Sequence, residues 1–397
     1  MIFPYFIPPV FAFLASIFEK GFTNSIKKAV YILLSLSAIF IYCCVYLNGS
    51  DWPAYEIFFN EINFNNLIKE ACLRGFEIGF SFSLLFLKTL GLNFMLSLIV
   101  MKIFSFVLIS NFFYTFAQSE YAQGYAKNIF FLLFIFYTTN CMYLYVETII
   151  RFSIALAIVI KSYKYLFLRK FFPFMFLLFL AFLFHRTAII VLPLYFIKQI
   201  KLSTKWLCVV FAGIFIFLSP QSLLFFAKLI FGSSSSVFSL KLIGYLELVI
   251  KSNEVNPFAI GNIVHLLFLI LILVYRKQLE KHTAFNKQFF VGLILFFFIY
   301  FTTMYMGPIG RVRLFYSIFF IIAIAELFSI RYMLQTFAFT MSICFWIFGM
   351  YKSIDENYCF KYYTNYLTAT LEKKSDLSLY DKLMIYYGWE QSEVFNK

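Results

Sequence analysis

The sequence predicts an all-α, polytopic transmembrane helix bundle of about 11–12 spans with short helical outer loops. Three observations predict it. Of its 397 residues, 62% are hydrophobic and 13% are charged, whereas soluble domains carry about 25% charged residues. Apolar runs long enough to cross about 30 Å of hydrocarbon recur along the chain. The formal net charge of +14 comes largely from lysines and arginines at the ends of those runs, the pattern of cytoplasmic loops. No basic run lies outside a membrane-flanking loop, so nucleic acid is not an expected partner and the lipid bilayer is.

Residues 2–18 read as a first, proline-containing span. They lack the basic start and small-residue cleavage site of a signal peptide. Lys20, Lys27 and Lys28 mark a cytoplasmic loop, which puts the N-terminus outside. Ala29–Leu47 is a second span, leading to an outer loop at 48–75. There Asn48-Gly49-Ser50 is turn chemistry, and Asp51, Trp52 and Tyr55 suit an interfacial element. Apolar runs follow at 76–92, 93–116 and 128–146, with a polar loop at 117–127. Counting spans from the N-terminus puts 117–127 outside and counting from Arg151 puts it inside, so 76–92 is read as a half-helix or re-entrant segment lining a cavity.

From Arg151 a span descends to the basic cluster Lys161, Lys164, Arg169 and Lys170. Phe171–Phe184 returns outward to His185-Arg186, and Thr187–Ile197 goes inward again. Trp206–Ile230 reads as one span, and 231–256 as an outer loop opening with Gly232 and four serines. Phe258–Val274, Gln288–Tyr305, Leu314–Ile330 and Tyr332–Met350 are the remaining spans. A basic inner loop covers 275–287 and an outer loop 306–313. The whole reads as one transmembrane domain, 1–350, with a polar tail at 351–397.

Few residues are suited to chemistry. Arg151, Arg186, Arg311 and Arg313 lie toward the outer side, against the positive-inside bias, and guanidinium groups match phosphate oxygens bidentately. The bland alternatives are an i,i+4 pair of Arg151 with Glu147 and snorkelling to lipid headgroups for Arg311 and Arg313. His185 titrates near neutrality and suits a general base, or else a hydrogen bond between helices. His265 sits mid-span, where a helix–helix hydrogen bond is the better reading. Asp51 and Glu77, and less so Glu56, are outer carboxylates able to orient a sugar or accept a proton. Trp52, Tyr55 and Tyr316 are candidates for stacking on sugar rings, against the alternative of an aromatic belt. The seven cysteines show no CxxC spacing and read as small buried residues, with Cys72–Cys359 a weak candidate pair. His185, His265 and His282 lack ligand spacing, so neither metal nor cofactor is expected.

The order of these motifs is more specific than any one of them. Asp51 and Tyr55 are followed by Glu77-Ile78-Gly79-Phe80, then by Arg151 with Ala155. Phe184-His185-Arg186-Thr187-Ala188, Leu192-Pro193 and Arg311-Val312-Arg313-Leu314-Phe315-Tyr316 complete the series. This series resembles the EpsG-like family of bacterial polysaccharide polymerases, related to the Wzy O-antigen polymerases. The stretch after Arg151 lacks a glutamine often found there, and the tail is longer than expected.

The resemblance implies a GT-C-like membrane glycosyltransferase. It would join undecaprenyl-diphosphate-linked oligosaccharide repeat units into O-antigen, capsule or exopolysaccharide on the outer face of the bacterial inner membrane. A chain-length regulator is a partner it allows. The mechanism it suggests is a metal-independent, inverting displacement. His185, Asp51 or Glu77 would take the acceptor proton, while Arg151, Arg186, Arg311 and Arg313 hold the diphosphate. A flippase would show repeated halves and polar residues strung through the bilayer, and neither is evident. An acyltransferase would want a histidine deep in a span, whereas His185 reads as outer-facing.

Overall fold

The computed structural model describes residues 3–47, 49, 51–146, 149–201, 203–217, 219–231, 237–252, 259–281, 287–305, 307–330, 349, 363–371 and 381–382. It is all-helical, with 83% helix and no strand among the described residues. Two compact units emerge, Met1–Ile189 with Ser342–Lys397, and Ile190–Met341.

The first unit opens with α1 (Ile7–Phe18), whose Pro8 and Pro9 sit in its first turn, where a missing N–H is harmless. α2 (Asn24–Ala38) is capped by Thr23, whose Oγ1 accepts from Ile26 N at 3.3 Å, and continues into a π turn, Ile39–Cys43. Leu47, in the loop beyond, holds φ at 56°, a left-handed conformation unusual for a branched side chain. α3 (Trp52–Glu61), α4 (Leu67–Arg74) and α5 (Ile78–Thr89) follow. Next come α6 (Phe94–Ala117) and α7 (Ile129–Phe136), which runs on into a π helix, Tyr137–Val146.

α3 and α5 run side by side in the same direction. Lys88, near the end of α5, donates to the carbonyls of Phe59, Asn60 and Ile62 at 2.6, 3.0 and 2.9 Å. That places a cation on the orphan carbonyls at the negative end of α3. α5 is about 18 Å long, well short of the hydrocarbon thickness, and Gly91 at φ 83° ends the run.

α8 (Ile150–Phe167) and α9 (Phe171–Phe184) form an antiparallel hairpin turned at Arg169, φ 54°. On the other side of α8, Ser153 Oγ meets Ser105 Oγ of α6 at 3.2 Å. Described tail residues also belong to this unit. Val45 and Asn365 form an isolated antiparallel bridge, followed by the short helix Tyr366–Leu371.

The second unit begins within the 3-10 turn Arg186–Val191 and continues as α10 (Leu192–Phe196). Together these reach about 20 Å, so Thr187–Ile197 is shorter than a full span. The stretch expected as the span Trp206–Ile230 is bent, with α11 (Thr204–Phe217) and α12 (Pro220–Phe231) meeting at 89°. Pro220 has no N–H to continue the helix and its ring clashes with the preceding turn. α13 (Val237–Ser252) occupies most of the expected loop 231–256. Its Leu242 and Leu246 bury against Ala227 of α12, and Glu247 pairs with Lys228 at 2.8 Å. The serines signal a turn, but the apolar spacing after them is helical. α14 (Ile260–Val274), α15 (Arg276–Leu279), α16 (Lys287–Thr303), a 3-10 helix (Gly307–Tyr316) and α17 (Ser317–Leu327) complete the unit.

Among the described residues, Asn24–Cys43 and Phe94–Ala117 are long and apolar enough to cross a membrane, joined by a third if the bent α11–α12 pair is one span. The other apolar helices are shorter than the expected spans, because glycine, proline, 3-10 and π breaks divide runs that hydropathy reads as continuous. Glu147, Gly232, the serines 233–236, His282, Cys344, Cys359 and almost all of Tyr332–Met350 lie outside the described residues.

Candidate active site around Arg151

Arg151 is the second residue of α8, and its guanidinium organises a chain of polar groups drawn from four elements. Nη1 donates to Glu77 Oε2 at 2.8 Å, and Nε donates to the Tyr55 hydroxyl at 3.1 Å. That hydroxyl donates in turn to Asp51 Oδ2 at 3.1 Å. The backbone N–H of Arg186 makes a long contact, 3.5 Å, with Glu77 Oε1. The rings of Phe76, Tyr55 and Phe80 surround the guanidinium, with centroids 5.1, 5.6 and 5.9 Å from Cζ. This is cation–π geometry.

Local structure explains each placement. Asp51, the residue that precedes α3, and Tyr55 stand one turn apart, so both face the same way. Phe76 and Phe80 have the same spacing and flank Glu77, the extended residue that precedes α5. Gly79 lets α5 press on α9: a Cβ there would lie 2.8 Å from the Leu183 carbonyl oxygen. That close approach brings Glu77 to the backbone of Arg186. The Arg151 and Glu77 side chains are 22% and 10% exposed, so their attraction acts largely away from water. Burial pushes the Tyr55 phenol up, opposed in part by Arg151, which keeps it a hydroxyl that both accepts and donates.

His185 closes α9 in an extended conformation. Its Nδ1 is 2.7 Å from Thr187 Oγ1, and its ring stands edge-on to Phe152 at 5.3 Å. Phe152 follows Arg151 directly, so the α8–α9 hairpin gathers both ends of the 151–185 stretch. The Arg186 side chain is exposed.

The other expected residues have different surroundings. Trp52, Tyr55 and Tyr316 are each 1% exposed, which leaves no ring face for a sugar and corrects their expected stacking role. Trp52 lines a small cavity with Leu47, Met95 and Lys102, and the Tyr316 hydroxyl donates to Ile190 O at 2.7 Å. An aromatic type is readable from sequence, but its burial depends on packing. Arg311 and Arg313 lie in the second unit, on the 3-10 helix Gly307–Tyr316, and Arg313 Cζ sits 4.6 Å from the Tyr300 ring centroid. His265 stacks on Tyr300 at 3.8 Å, with Nδ1 2.8 Å from Gly261 O, as a structural histidine would. Glu56 pairs with Lys382 at 2.6 Å.

Sequence reasoning assigned no contact to four residues that matter here. Phe76 and Thr187 were visible as close neighbours of Glu77 and His185. Lys102 is a lone cation in the apolar run of α6 and is buried. Lys382 gave no signal. Among the described residues no His, Cys, Asp and Glu group has metal-site geometry.

A family model described as the EpsG family matches residues 28–366, which takes in every residue around Arg151. The chain belongs to the EpsG family. This is a Wzy-like polysaccharide polymerase family, so membership together with the apolar helices makes the chain a membrane protein of the glycosyltransferase-like polymerase kind. Comparison with curated proteins and with solved structures gave no match.

Proposed function

We propose that this EpsG-family chain polymerises undecaprenyl-diphosphate-linked oligosaccharide repeat units on the outer face of the bacterial inner membrane. The observation that carries the reading is the Glu77–Arg151 pair beside His185 and the exposed Arg186 at one end of the α8–α9 hairpin. A base and an exposed guanidinium there match the two needs of glycosyl transfer, proton removal and stabilisation of a leaving diphosphate.

In this reading the acceptor hydroxyl loses its proton to His185. With Thr187 accepting from Nδ1–H, Nε2 is the basic nitrogen of the ring. The acceptor oxygen then bonds to the anomeric carbon of the donor from the face opposite the diphosphate. The carbon–oxygen bond to the diphosphate breaks, undecaprenyl diphosphate leaves with the electron pair, and the configuration inverts. Arg186 takes up the developing charge; guanidinium groups can do this without calling on a metal. Arg151 has a different part. Its Nε and Nη1 are engaged by Tyr55 and Glu77, so it organises the site more than it grips the substrate. Glu77 and Asp51 orient donor and acceptor from the two ends of that network.

The test is Arg151→Ala, His185→Ala and Glu77→Gln in the native host at unchanged protein level. Each should leave single repeat units on the lipid where the wild type builds long chains. Wild-type chain lengths in the first two would overturn the proposal. Loss of all surface glycan, with units trapped on the cytoplasmic side, would favour a flippase instead.

A further inference from the structure

α3 presents two adjacent stripes to two different partners. Asp51 and Tyr55 form one stripe and join the Arg151 network. Trp52 and Glu56, one residue further round the helix, form the other, and Glu56 Oε1 meets Lys382 Nζ at 2.6 Å with side chains 7% and 8% exposed. The second carboxylate oxygen of Glu56 is buried without a hydrogen-bond partner among the described residues, and Lys382 is the counter-charge they supply. A buried carboxylate deprived of its cation moves toward water or takes up a proton. Because a helix turns as a rigid body, any roll that relieves Glu56 carries Tyr55 away from Arg151.

A second set of contacts holds residues 364–366 of the tail close to the loop that leads into α3. Tyr46 N donates to Thr364 O at 3.0 Å and Tyr366 N to Cys44 O at 2.7 Å. Asn365 Nδ2 reaches Phe40 O at 2.8 Å, and Asn93 Nδ2 reaches the Tyr366 hydroxyl at 2.9 Å. These bonds flank Leu47 and its left-handed backbone.

We infer that Lys382 is a positioning residue of the polymerase site, acting through Glu56 to set the rotation of α3 and hence the Tyr55–Arg151 contact. The inference rests on the polymerase reading for its catalytic consequence, but its structural part stands apart from it. The test uses the full-length chain with Trp206, Trp346 and Trp389 replaced by Phe, so that Trp52 alone fluoresces. Lys382→Ala should raise acrylamide quenching of Trp52 and lower polymerisation about 100-fold, the scale of an ångström-sized misplacement. Lys382→Arg and the charge swap Glu56→Lys with Lys382→Glu should each restore both, which a merely unfolded variant would not do. Unchanged quenching in Lys382→Ala overturns the inference, as does raised quenching with wild-type polymerisation. If the wild type itself joins no repeat units, the polymerase reading fails while the quenching comparison still decides the role of Lys382.

Discussion

Arg151 and Glu77 lie 2.8 Å apart across 74 positions of sequence, and Arg151 reaches Tyr55 from the same guanidinium. Only a planar fork meets both at once. Arg151→Lys keeps the charge but supplies a point donor on a flexible stem. The variant should lose chain elongation and about 2 kcal/mol of stability, less than for a fully buried pair because Arg151 is partly exposed. Thermal unfolding in detergent and glycan length on a gel check it. A lysine variant with wild-type elongation would show that charge alone is required.

Gly79 is the second test. Its Cβ would meet backbone atoms of Leu183, the carbonyl oxygen at 2.8 Å and its carbon at 3.0 Å. Backbone cannot rotate aside as a side chain can, so Gly79→Ala should push α5 from α9 and cost about 1–3 kcal/mol, as overpacking does. Glu77 should leave Arg186 as a result, and elongation should fall with it. A stable Gly79→Ala protein with normal chains would mean that the close approach is incidental.

Glu19 provides a pH test outside the site. Burial raises its pKa, opposed by Lys27 3.4 Å away. The folded state then binds this proton more tightly than the unfolded chain does. The stabilisation is fully present below the ordinary carboxyl value and is lost as pH rises through the raised one. Glu19→Gln should therefore raise the unfolding temperature near neutral pH and leave it unchanged in acid. A lower unfolding temperature at neutral pH would show that the Lys27 pair outweighs the burial.

Much of the site was legible because charge is conspicuous in hydrocarbon. Asp51, Glu77, Arg151, His185 and Arg186 stand out at the edges of apolar runs, and the structure gathers all five in one unit. Their pairing was not legible. Glu147, one turn from Arg151, looks the better partner when only helical spacing is visible. Glu77 becomes Arg151's partner only because α5 is short, Gly79 admits α9, and the α8–α9 turn brings Leu183 alongside. The aromatic residues mislead for a related reason. Tyr55 and Trp52 have the right type for sugar stacking, but neighbouring residues on a helix point about 100° apart, and tertiary packing decides which ones are covered. The all-helical fold followed from composition and the break at Gly91 from its glycine, whereas the bend at Pro220 lies inside a run that hydropathy alone reads as continuous.

The three lysine and arginine anchors of α3 have a thermodynamic consequence. Arg151 binds the helix near its start, Lys382 along its flank and Lys88 at its final carbonyls. Little rotational or sliding freedom is left for a ligand to remove. Under the proposed function, a substrate docking here meets an element whose ordering entropy was lost when the chain folded, so that its contacts act on the reacting groups and not on assembling the wall around them.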